Sequence, residues 1–175
     1  MESPTDPLYK SRSGDENLKI KSKDLSLIAI FASLYVVLVY LFAPISFYVF
    51  QFRIAGIIRP AIARKWILSV GYALGVVVGN VFSPFAGIYE LLFMPLMSLI
   101  AGTLGHIIAR KIGNNYFVAG AIIATIIPLS VSWMLNQLLN LPIPVTLPYL
   151  LISEQIVCFI GACIFKLIDT RFRWY

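Results

Sequence analysis

Three side chains could do chemistry where ionisable groups are costly to keep: Arg59, Glu90 and Glu154 each interrupt an apolar run. A charge inside a bilayer costs several kcal/mol unless it is paired or solvated, so the survivors are candidates for ligand contact. At about 1.5 Å per residue, Glu90 is expected about one turn from the end of its run, and Glu154 about two turns from the adjacent end of its own. Arg53 precedes the run that holds Arg59. Trp133, Asn136, Gln137 and Asn140 are spaced i, i+3, i+4, i+7, which puts an indole and three amides on one helical face near the same level. Phe47, Tyr48, Phe52, Tyr89 and Tyr149 add rings there. This inventory suits a small polar heterocycle, stacked on an aromatic and hydrogen-bonded by carboxylate and amide. The competing reading pairs the two acids with Arg53 or Arg59 as structural ion pairs and makes the amides interhelical hydrogen bonds. His106 reads as a packing or interfacial residue. No HExxH, GxSxG or P-loop pattern occurs and the chain has one histidine, so neither an enzyme nor a metal or cofactor site is expected.

The elements that must carry these groups are membrane helices. Of 175 residues, 59% are hydrophobic and 13% charged, against about 25% charged in soluble domains, and the mean hydropathy is +0.86. The acids Glu2, Asp6, Asp15, Glu16 and Asp24 all fall in a polar N-terminal stretch, 1–24, expected to be a disordered cytoplasmic tail rather than a signal peptide. The membrane domain is expected over 25–170, with runs at 25–43, 52–63, 66–81, 88–109, 116–139 and 147–168. The second is short for a crossing. Asp24 is placed to cap the first helix, and LNLPIPVTLP forms a proline-stiffened connector before the last. With both termini inside, Arg64, Lys65, Arg110, Lys111, Lys166, Arg171 and Arg173 gather on the cytoplasmic side with the tail's bases, as the positive-inside rule requires. The fold class is therefore an all-α membrane protein of six transmembrane helices. That placement of the net charge of +6 argues against nucleic acid as a partner. Gly71, Gly75 and Gly79 form a small-residue stripe for close helix contact, and Ser26, Ala29 and Ser33, with Ala32 beside them, form another on the first helix. Cys158 and Cys163 read as small buried residues without the spacing of a zinc site.

The runs SLYVVLVYLFAPISFYVFQFRIAGIIRP, SPFAGIYELLF and ISEQIVCFIGACIF resemble, in order and spacing, the QueT family of substrate-binding S components of energy-coupling-factor transporters. The resemblance implies a six-helix bundle that captures a queuosine or archaeosine precursor, a 7-deazaguanine base, and docks on a transmembrane scaffold subunit driven by two ATPase subunits. It implies substrate binding by Glu90 and Glu154, to which the reading of the residues adds Asn136, Gln137, Trp133, Arg53 and Phe52, and it implies scaffold docking by Ala29, Ala32 and Ser33. The family's QFR-x-SEAL pattern becomes Gln51-Phe52-Arg53-Ile54-Ala55-Gly56-Ile57 here, without its glutamate. Two alternatives stay open: an S component for another vitamin-like heterocycle, and a membrane assembly protein that transports nothing.

Overall fold

The computed structural model describes residues 21–47, 52–172 and 174–175; most of the expected tail, together with Tyr48, Gln51 and Arg173, lies outside the described residues. Among these residues every regular element is helical. Helix α1 spans Ser22–Leu41, α2 Ile67–Asn80, α3 Met94–Lys111, α4 Tyr116–Leu139 and α5 Ile143–Arg171. Between α1 and α2 come a single turn, Ala43–Ser46, and a 3₁₀ helix, Ile54–Ala63; one π-helical turn, Tyr89–Phe93, leads into α3.

Four helices are long and apolar enough to cross a bilayer: α1, α3 with its π turn, α4 and α5. The two others are short. The ten-residue 3₁₀ helix reaches about 20 Å at about 2.0 Å per residue, and the 14-residue α2 reaches about 21 Å, against a hydrocarbon core of about 30 Å. Six apolar elements thus occupy the positions of the six expected spans, but four have full crossing length.

Local chemistry explains where the helices start. Lys21 holds the N-cap position of α1, and Asp24 lies inside the first turn, where its Oδ1 accepts from Lys65 Nζ at 2.9 Å; an acid there also meets the positive end of the helix dipole. Asn115 caps α4 by accepting from Phe117 N at 2.9 Å, and Asn140 ends it in the left-handed conformation at φ 53°. The connector before α5 is shorter than expected. Pro142 is its N-cap and Pro144 lies in its first turn, where a missing N–H costs nothing, so the prolines begin the helix instead of separating two.

Consecutive helices α1 to α5 pack side by side in an arc, and the 3₁₀ helix runs through the middle, touching all five. The glycine stripe of α2 makes its closest contacts with α1: a Cβ at Gly71 would lie 2.9 Å from Ile28 O and one at Gly75 2.9 Å from Tyr35 Cβ. Gly161 of α5 meets the carbonyl of Ile57 so closely that no Cβ fits between them. One end of the bundle is charged. There Lys65 joins Asp24, Arg64 joins Asp169, and Arg64 Nε donates to Tyr116 Oη at 2.9 Å, which brings both ends of the described helical chain, Ser22 and Arg171, to the same side. Cys158 is buried but Cys163 is exposed, contrary to expectation. Five residues apart on a helix, the two are separated by about 140°.

Candidate functional site

A layer of buried polar groups lies inside the arc. Among the described residues the buried charges are Arg53, Arg59, Glu90 and Glu154, none more than 4% exposed. The 3₁₀ helix supplies Arg59 and α5 supplies Glu154, and the two form an ion pair. The guanidinium also lies 5.2 Å from the centre of the Tyr72 ring, a cation–π contact. Room for the pair comes from Gly56, where a Cβ would lie 3.0 Å from Arg59 Nη1 and 3.1 Å from Glu154 Oε2. Glu154 stands about three turns into α5 rather than two, because that helix begins at Ile143.

Glu90 is different. It is fully buried, and neither carboxylate oxygen has a hydrogen-bond partner among the described residues. The π turn carries it, and such turns recur at functional sites because they re-aim a side chain within a continuous helix. Arg53 is within electrostatic reach of Glu90, Tyr35 and Tyr72. Asn80, the last residue of α2, donates from Nδ2 to the backbone carbonyl of Glu90 at 2.9 Å, and its Oδ1 has no partner among the described residues. Tyr35 and Tyr72 meet edge to face at 5.3 Å between the two arginines. The result is a continuous buried path from Glu154 and Arg59, past the tyrosines, to Arg53, Glu90 and Asn80. Unmet hydrogen-bonding capacity at such depth is rare in folded proteins and calls for an explanation.

The other residues expected at the site lie elsewhere. Helix α4 turns Val131, Met134 and Leu135 into the core, so the face bearing Trp133 and Gln137 points away from it. Trp133 is 41% exposed and packs on Tyr89 and Phe93, at ring distances of 5.8 and 4.9 Å. Asn136 Nδ2 donates to Leu141 O at 2.9 Å, closing the α4 end, and Gln137 is exposed. Phe52 is half-buried, its backbone N–H bonded to Ile45 O at 2.9 Å. His106 Nδ1 lies 3.0 Å from Ile62 O, tying α3 to the 3₁₀ helix. Asn80, Tyr35 and Tyr72 are absent from the sequence-based set. The one signal for Asn80 was an amide closing an otherwise apolar run; the tyrosines looked like any other membrane aromatics.

A search of protein families matches the QueT transporter family over residues 25–170. The chain belongs to the QueT transporter family. Searches of curated proteins and of solved structures return no match. In this QueT chain the matched region begins three residues after Ser22 and ends one residue before Arg171, so it takes in every element from α1 to α5. The chain is thus a multi-pass membrane component of a transporter, and the three quoted runs contribute all four buried charges of the described residues: Arg53 and Arg59 from the first, Glu90 from the second and Glu154 from the third.

A cavity of about 260 Å³ opens at the charged end, lined by Arg64, Asn115, Tyr116, Lys166, Asp169 and Thr170. It is separate from the buried layer.

Proposed function

We propose that this QueT chain is the substrate-capturing S component of an energy-coupling-factor transporter and that it takes up a 7-deazaguanine precursor of queuosine or archaeosine. The observation that carries this reading is Glu90: a fully buried carboxylate whose two oxygens have no partner among the described residues, within electrostatic reach of Arg53. A guanine-like edge presents adjacent N–H groups at N1 and the exocyclic amine, which one carboxylate accepts together. Arg53 supplies a donor for the ring carbonyl, and half-buried Phe52, its neighbour in sequence, supplies a ring for stacking. The Arg59–Glu154 pair forms its floor.

Orientation follows the charges. Arg64, Lys65, Arg110, Lys111, Lys166 and Arg171 belong to the end where the described helical chain starts and stops, and the positive-inside rule puts that end in the cytoplasm. Glu90 then lies toward the outer side, where a nutrient arrives. Ser26, Ala29 and Ser33 are exposed on α1, while Ile28, Phe31, Tyr35 and Val39 are buried. This outward small-residue face fits a scaffold helix at close range. Ala32 is half-buried, and its carbonyl faces Gly75.

Equilibrium binding of 7-cyano- and 7-aminomethyl-7-deazaguanine to the purified full chain tests the substrate. Saturable binding of either at micromolar concentration supports it, and binding of neither overturns it. Co-purification with a scaffold and two ATPases tests the coupling.

A further inference from the structure

The four buried charges balance. Arg53 and Arg59 cannot shed their protons in a protein, so each needs a buried counter-charge, and Glu90 and Glu154 are the two that the described core offers. With both acids ionised the layer is neutral. A cationic ligand would leave an uncompensated charge in a dry, low-dielectric space, which is strongly disfavoured. The unmet groups of the hydrogen-bonded Glu90–Asn80 pair are also one-sided. Glu90 Oε1 and Oε2 and Asn80 Oδ1 are acceptors only, and all three lack partners among the described residues. Asn80 cannot turn its amide around cheaply, because Nδ2 is committed to the Glu90 carbonyl.

We infer that Glu90 and Asn80 together read three N–H hydrogens along one edge of an uncharged heterocycle, with Asn80 as a specificity-determining residue. A lactam ring carrying an exocyclic amine offers those three: one at the ring nitrogen and two at the amine. The inference rests on the substrate reading above and narrows it to neutral ligands, favouring the 7-cyano base over the 7-aminomethyl cation. It also requires the 2-amino group.

Competition binding to the full chain in detergent or nanodiscs at pH 7 tests this with three probes: 7-cyano-7-deazaguanine, its analogue without the 2-amino group, and 7-aminomethyl-7-deazaguanine. The expected order has the first probe tightest, each of the others weaker by about tenfold or more. Asn80→Ser should narrow the gap between the first two probes by about threefold or more, leaving only the Glu90 contact to the amine, whereas a merely structural asparagine would weaken all three alike and leave the gap unchanged. Equal affinity for the first two probes in the unmodified chain overturns the reader while leaving the deazaguanine reading intact. An aminomethyl base that binds as tightly as the cyano base overturns the neutrality argument, again without touching that reading. Binding of no probe overturns both.

Discussion

Glu154 and Glu90 share a type and a depth but not a situation, and the difference predicts how each tolerates change. Glu154 is held by Arg59, so Glu154→Gln leaves a buried guanidinium without its counter-charge and should destabilise the chain by about 3–5 kcal/mol. The double change Arg59→Met with Glu154→Leu should recover most of that loss, since an apolar pair of similar volume removes both desolvation costs. Thermal melts of the three variants in one detergent check this; a double variant no more stable than Glu154→Gln would show that the ion pair is not what the single change breaks. Glu90→Gln should instead act on affinity, weakening the best ligand by more than about 1 kcal/mol, measurable by the same equilibrium binding. Sequence alone identified both acids as unusual, since few charges survive in apolar runs. Which acid was paired depended on Gly56 making room at one of them, a three-dimensional fact with no local pattern.

The elements show the same division. The long helices were legible because apolar runs of membrane length leave little choice: α4 was expected at 116–139 and spans Tyr116–Leu139. The start of α5 was misplaced because prolines read as breakers, although at a first turn they are compatible with the helix. The 3₁₀ form of 54–63 was not legible at all; it reflects Pro60 together with tight burial among five neighbours. That burial makes the crossing of α5 over the 3₁₀ helix intolerant. Gly161→Ala would press a methyl group into Ile57 O, a backbone atom that cannot swing aside, and should cost about 1–3 kcal/mol or more. The crossing sets the height of Glu154 relative to Arg59, so ligand affinity should fall with stability. Gly87→Ala is the control, with 3.7 Å to its nearest atom. Comparing the two variants by thermal melt and ligand binding decides it; a Gly161→Ala chain as stable as the control would show that the contact relaxes.

At the scale of the whole molecule, capture and transport should be separable, because the buried polar layer and the exposed face of α1 use opposite sides of the same helix. Tyr35 faces the interior at 0% exposure, and Ala29 and Ser33 face outward. Filling the outward face with bulk, by Ala29→Leu together with Ser33→Leu, leaves every buried contact of Ile28, Phe31, Tyr35 and Val39 in place. Affinity of the purified chain for 7-cyano-7-deazaguanine should then stay within about threefold of the unmodified protein, since no group of the buried polar layer has moved. Uptake in cells that also carry the scaffold and ATPases should fall to background, because helices that meet across small residues cannot close over two leucines. Unchanged uptake would move the docking surface off α1. A parallel loss of affinity would mean instead that the outward face supports the bundle, and that α1 does not divide its two sides between ligand and partner.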